Sequence, residues 1–327
     1  MTVKNAVLCW LLILESTLCL AADSSQKWEV SRSWSSYVEF LKANETRIVS
    51  LTNLDLILNK GEVLGLKVSE SPLADWSAVG NVLTNVVCLR ITTSAVDLSS
   101  AFFSAITNYP KLQYLHLECR QTVAIPPDIS SLTNLVHLRY LGIDGPSATN
   151  IDRRIYRITT LKELFLVVGS VSLPDGITHL ANLTRLEIHG RRANPVRSLP
   201  ADLLKCMVQR LVLANVLGVE RLLPALPPNL VELNVLNCQM HAVPNGWFSD
   251  RKLQILDLTH NELNRFPEGL LAIRSLKFLG LDLNNIAVVP ALKIPKDRNL
   301  TISLISNPIR HFSSQNDILV SRGVIEK

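Results

Sequence analysis

The chain has 327 residues, 47% of them hydrophobic and 19% charged, with 33 basic and 28 acidic side chains and a formal net charge of +5. Leucine alone fills 57 positions, which excludes a disordered chain. The mild positive balance has no dense basic block, and an aromatic share of 6% supplies no base-stacking platform, so a nucleic-acid partner is not expected. The length exceeds most single compact domains and points to two domains or one extended architecture.

Residues 1–22 read as a signal peptide. Lys4 supplies a basic start, Ala6 to Leu14 is an unbroken apolar run, and Cys19-Leu20-Ala21-Ala22 offers small residues for cleavage. Glu15 interrupts what would otherwise be a longer apolar span, and no later stretch reaches 18 apolar residues. The expectation is a secreted or cell-surface protein with no direct membrane insertion after cleavage. Residues 23–60 form an N-terminal cap, in which Trp34, Tyr37, Val38 and Leu41 share one helical face behind Ser33 as N-cap.

From residue 61 a period takes over. Its unit is an apolar residue, two variable residues, a second apolar residue, one variable residue and a third apolar residue. It reads Val63/Leu66/Val68, Val86/Leu89/Ile91, Leu112/Leu115/Leu117, Leu138/Leu141/Ile143, Leu161/Leu164/Leu166 and Leu183/Leu186/Ile188. It continues as Val208/Leu211/Leu213, Leu230/Leu233/Val235, Leu253/Leu256/Leu258, Leu276/Leu279/Leu281 and, with Asn299 in the first place, Ile302/Leu304. The mean spacing from residue 63 to residue 299 is 23.6 residues. Counting the first apolar residue as position 1, position 9 is Cys238, Asn261, Asn284 and Asn307 in the later units. Six units close on an apolar residue followed by proline, as in Leu199-Pro200, Val243-Pro244 and Phe266-Pro267.

Alternation at positions 4 and 6 predicts a short strand with its apolar side inward, and positions 3, 5 and 7 then face outward. One unit cannot bury its own apolar face, whereas stacked units share a core. An inward asparagine must hydrogen-bond the backbone of the turn, a role that Cys238 fills only weakly. The fold class expected is an α/β solenoid. A curved parallel sheet lines its concave face, and loops with short helical turns form the convex one. About ten to eleven units fill residues 61–312, and residues 313–327 are a tail or partial cap.

This pattern, LxxLxLxxN/CxLxxLP, resembles that of the extracellular leucine-rich repeat family, of the kind found in receptor-like ectodomains of plants and oomycetes. The resemblance implies a non-enzymatic module without a cofactor or metal that holds a protein or peptide ligand, with a membrane co-receptor as a further partner. A matrix, wall or adhesion role, or inhibition of an extracellular enzyme, are the alternatives. Plant members carry glycine in a Gly-x-Ile-Pro closing half. Here that place holds Asn264-Arg265-Phe266-Pro267 and Ala287-Val288-Val289-Pro290.

The outward positions nominate a partner-binding face of Tyr114, His116 and Glu118, Tyr140 and Asp144, Phe165, Glu187 and His189, then Glu232, Asp257, Phe278 and Asp282. Large aromatics amid polar groups are the anatomy of a recognition patch. With Glu163 counted, seven acidic groups against Arg185 and Arg210 predict a face suited to a basic or amide-rich segment. Asn44, Asn182 and Asn299 each begin a glycosylation sequon. A glycan on Asn299 requires its first-position register to be distorted, since a sugar cannot point into the core. The seven histidines are scattered, and no nucleophile elbow, phosphate loop or HExxH occurs. After cleavage Cys88, Cys119, Cys206 and Cys238 remain, with three pairings open, a Cys88–Cys119 link across neighbouring strands among them.

Overall fold

The computed structural model describes residues 48–50, 65–69, 86–93, 109–119, 132–142, 153–168, 173–191, 195–249 and 252–327. The signal-peptide reading of residues 1–22, the helix expected after Ser33, and Asn44 lie outside them. Thirteen strands form one parallel sheet in chain order. They are β1 Ile48–Ser50, β2 Gly65–Ser69, β3 Cys88–Thr93, β4 Tyr114–Cys119, β5 His137–Gly142, β6 Glu163–Val168 and β7 Arg185–Gly190. Then come β8 Arg210–Ala214, β9 Glu232–Leu236, β10 Ile255–Asp257, β11 Phe278–Gly280, β13 Thr301–Ser303 and β15 Ile325–Glu326. The short β12, Val288–Val289, and β14, His311–Phe312, pair separately.

Each strand pairs with its neighbour at equal repeat positions, so the leucines stack in columns. Leu186 aligns with Leu211, Leu211 with Leu233, and Leu256 with both Leu233 and Leu279. Those residues are inaccessible to solvent and belong to one continuous apolar cluster from Val86 to Ile325. The sheet runs one strand beyond the last unit read from the sequence: α1, Asp317–Ser321, leads into β15, whose Ile325 aligns with Ile302.

Turns between units are held by a polar ladder. The Asn261 Oδ1 accepts the backbone N–H groups of Cys238 and Met240 at 3.0 and 3.2 Å, while its Nδ2 donates to the Val235 and Leu258 carbonyls at 2.7 and 2.9 Å. The Asn284 amide repeats this one unit on with Leu258, Leu281 and Leu263. The Asn307 amide does so with Leu281, Leu304 and Ile286. In the same place the Cys238 thiol reaches the Leu213 and Leu236 carbonyls at only 3.5 and 3.3 Å. Just before it, at position 8, the chain turns through positive φ in five successive units. Asn215, Asn237, His260, Leu283 and Ser306 have φ between 52 and 61°. Asparagine tolerates that left-handed region, and Leu283 occupies it at a steric cost.

The closing prolines open short 3-10 helices on the convex side. The Pro200, Pro244 and Pro267 carbonyls accept the Leu203, Trp247 and Leu270 N–H groups, each at 3.0 Å, and a missing proline N–H costs nothing at such a start. Trp247 is fully enclosed, and its Nε1 donates to the Leu223 carbonyl at 2.8 Å. Neighbouring turns are stitched by carboxylates: Asp175 accepts the Ala201 N–H, and Asp202 accepts from the Gly176 N–H, the Thr178 N–H and the Thr178 hydroxyl. Partial burial opposes ionisation of Asp202, but the bonds from Thr178 and Gly176 outweigh it and hold the carboxyl below its ordinary range.

Three outcomes are expected in solution. Leu256→Ala lowers unfolding free energy by about 2–5 kcal/mol through a cavity, measured as a shifted urea midpoint at constant m. Asn261→Ala orphans the Cys238 and Met240 N–H groups and costs roughly 3 kcal/mol, whereas Cys238→Asn gains about 1 kcal/mol by completing the ladder. The contribution of Asp202, whose pKa is lowered on folding, is complete above about pH 4 and lost as pH falls through the depressed value, so Asp202→Asn flattens the acid limb of a stability–pH profile.

Candidate functional site

Positions 3, 5 and 7 of the strands make three rows across the concave sheet, and the rows differ in access. Row 5 is mostly covered: His116, Phe165, Glu187, Val212, Asp257 and Ser303 are buried. Row 3 is open at its C-terminal end, where Arg210 is exposed and Glu232, Ile255 and Phe278 are half-buried. The strands align these four side by side, Arg210 with Glu232, Glu232 with Ile255, and Ile255 with Phe278.

At the centre, Glu187 is 2% exposed and engaged on both oxygens. The Arg185 Nε donates to Oε1 at 2.8 Å, and the His189 Nε2 lies 3.2 Å from Oε2. The His189 ring also lies against Phe165, with centroids 4.7 Å apart. All three polar groups sit at odd positions of β7, where alternation aims them to one side. Next to them the Arg210 Nε, its side chain 52% exposed, lies 3.4 Å from the Glu232 Oε2, whose other oxygen accepts from the Asn234 amide. Toward the C-terminal end, Asp257 accepts the Thr259 N–H, and Asp282 accepts the Ser303 hydroxyl at 2.6 Å and the Ile305 N–H at 2.8 Å. Burial first, then the Asp257 and Glu326 charges, push the Asp282 carboxyl above its ordinary range against those bonds.

Most sequence-nominated residues fall on this sheet, but with corrections. Tyr140 does not hold an outward register position: it aligns with Leu117 and Leu166, both core residues. The unit reads Leu135/Leu138/Tyr140, three residues earlier than Leu138/Leu141/Ile143, because these five residues fit the pattern twice. The Leu135 N–H bonds back to the Leu132 carbonyl, as Leu161 does to Ile158 and Leu183 to Leu180, which marks Leu135 as position 1. The outward register positions of β5 are therefore those of His137, Arg139 and Leu141, and Asp144 lies outside the described residues. Glu118 keeps its outward register opposite Thr92. Phe165 is 6% exposed, shielded across the sheet rather than offered to solvent.

The acidic surplus is corrected too. Glu187 and Glu232 are paired with arginine on the same face, and Asp257 and Asp282 are taken up by backbone and hydroxyl donors. These four carboxylates are therefore not free for a basic ligand. What sequence reasoning missed is the contiguity of Arg210, Glu232, Ile255 and Phe278, which position 3 alone, read down successive units, would have displayed.

Cys88 and Cys119 are five positions apart along paired strands, since Cys88 aligns with Tyr114 and Cys119 with Thr93. At a strand rise of about 3.3 Å per residue that gap is too long for a disulfide. Burial pushes the Cys206 and Cys238 thiols up to about 12, so both stay protonated and unreactive. Among the described residues no group of three or more His, Cys, Asp or Glu side chains is placed to hold a metal ion, and no helix is long and apolar enough to cross a membrane.

Comparison with known proteins agrees with this geometry. A leucine rich repeat family model matches residues 228–286. The volume-regulated anion channel subunit LRRC8A of Homo sapiens is 27% identical over 262 residues, covering 68% of this chain and 32% of that protein. The chain thus spans about a third of the length of the curated relatives it matches. Among solved structures, the Leptospira interrogans LRR protein LIC12759 superposes with a TM-score of 0.57 at 20% identity, covering 85% of this chain and 81% of that one. A chain of the mouse RP105/MD-1 complex does so with a TM-score of 0.59 at 16% identity, over 86% and 50%. With its strands in equal register and asparagines bridging its turns, the chain has the fold of a leucine-rich repeat solenoid.

Proposed function

We propose that this solenoid is an extracellular or cell-surface binding module that grips a protein or peptide on its concave sheet, with the strip Arg210, Glu232, Ile255 and Phe278 as the anchoring site. The observation that carries this reading is the contrast between rows. Row 5 is spent on covering the sheet, while row 3 leaves adjacent apolar groups, Ile255 and Phe278, half open beside an exposed guanidinium. An apolar anchor with a polar rim concentrates binding energy in a few side chains. A sheet already fixed by thirteen paired strands loses little further entropy on association. A chain of similar fold is found in the mouse RP105/MD-1 complex. Export rests on the composition of residues 1–22, and the partner chemistry favoured is an apolar segment carrying a carboxylate that competes with Glu232 for Arg210.

The strip is testable apart from the fold. An array of extracellular proteins is probed with the wild-type chain, the double variant Ile255→Ala/Phe278→Ala, and Arg274→Ala on the outer surface as control. The double variant is expected to weaken the recovered interaction about 30-fold or more, equivalent to about 2 kcal/mol, with an unchanged melting temperature, and the control to bind as wild type. Equal affinity of the double variant sinks the strip as the site.

A further inference from the structure

The edge at which the strands begin carries a second polar row, at the position just before the first leucine. There the Asn182 Nδ2 donates to the Thr159 carbonyl at 2.9 Å, the Thr160 hydroxyl to the Leu135 carbonyl at 2.6 Å, and the Ser275 hydroxyl to the Leu253 carbonyl at 2.7 Å. The Asn134 amide likewise donates to the Pro110 carbonyl. Each side chain ties its unit to the one before, so the row accounts for Asn182 as structure. It does not account for Asn299.

Asn299 stands two residues before Thr301, which aligns with Phe278, and so occupies position 1 of its unit. The nine units before it, from Val86 to Leu276, place a buried apolar residue there, for instance Val208, Leu253 and Leu276. Here the backbone slips by one: Leu300, 2% exposed, turns inward in its place and Asn299 faces solvent. The Leu300 N–H bonds to the Arg298 carbonyl, two residues back, where the Leu276 N–H bonds three back to Ile273. The Arg298 guanidinium meanwhile takes the carbonyls of Leu271 and Ile273, so the link to the preceding unit is made without Asn299. The Asn299 amide makes no hydrogen bond. An asparagine at a core position, turned out and given no structural work, is followed by Leu300 and Thr301 in the acceptor sequence for N-linked sugar.

We propose that Asn299 carries an N-linked glycan, and that Asn182, exposed on the same edge within Asn182-Leu183-Thr184, carries a second. The inference rests on the export part of the proposed function. In the transfer, the asparagine Nδ2 bonds to the anomeric carbon of an oligosaccharide whose bond to a lipid-linked diphosphate breaks. The diphosphate leaves with the electron pair, Nδ2 gives up one proton, and nothing is oxidised or reduced. One N–H remains on each amide. Both sugars stand at the strand-beginning edge, five strands apart, and close that side of the sheet to a partner while the opposite edge stays open.

The full chain, with its own N-terminal segment, is expressed in a secreting eukaryotic cell and collected from both medium and cells. Peptide N-glycosidase digestion in heavy-oxygen water then marks each formerly glycosylated asparagine as labelled aspartate in peptide mass spectra. Label is expected at Asn299 and Asn182. Asn299→Gln and Thr301→Ala each remove one glycan, and Thr301→Ser, which keeps the acceptor, retains it. Protein in the medium with Asn299 unlabelled overturns the glycan inference alone. Protein held inside the cell and unlabelled overturns export as well, and neither outcome touches the concave strip, which is tested by its own variants.

Discussion

A single unit of this chain has no inside. Its three apolar side chains all point one way from a strand of two to six residues, and water is excluded from them only when another unit stands on each side. Equal register between neighbours is the constraint from which the rest follows. It stacks Leu211, Leu233, Leu256 and Leu279 into one column, and by the same alternation it sends positions 3, 5 and 7 to the opposite surface. The concave face is thus a by-product of core packing, and the chain is free to vary it without touching what holds the units together.

That freedom explains both what could be read in the sequence and what could not. Repetition made the fold legible, because independent units agree on Leu, Leu and Leu at the same offsets, and the asparagine at position 9 could be assigned its turn-bridging role from chemistry alone. One unit misled: Leu135, Leu138 and Leu141 are equally spaced, and only the backbone bond from Leu135 to Leu132 distinguishes the true start, so Tyr140 was given an outward place that its alignment with Leu117 and Leu166 denies. Direction was otherwise recoverable for the described strands. Access was not, since whether Phe165 meets solvent depends on His189 in the next strand, and whether Glu187 presents charge depends on Arg185 beside it. These are pair properties, and a pattern of single positions does not contain them.

The same pairings give the concave surface its character. Burying a carboxylate as deeply as Glu187 requires cationic or hydrogen-bonding partners, and two of those partners come from its own strand. Sheet polarity is therefore largely settled within the protein before any ligand arrives. Apolar contact at Ile255 and Phe278 and the exposed head of Arg210 stay available at one end.

The bridging ladder is unevenly distributed along the solenoid. Its strong asparagine rungs at 261, 284 and 307 end in the weak thiol rung of Cys238, and the corresponding place is Val216 one unit earlier and Arg191 before that. Assembly therefore has a direction built into it. Among the described turns, those of Asn261, Asn284 and Asn307 hold the fullest inter-unit hydrogen bonding and can close first, giving the turns of Cys238, Val216 and Arg191 a finished surface on which to settle. Local opening accordingly costs least at the turns of Val216 and Arg191 and most where Asn261, Asn284 and Asn307 hold the backbone of two units together.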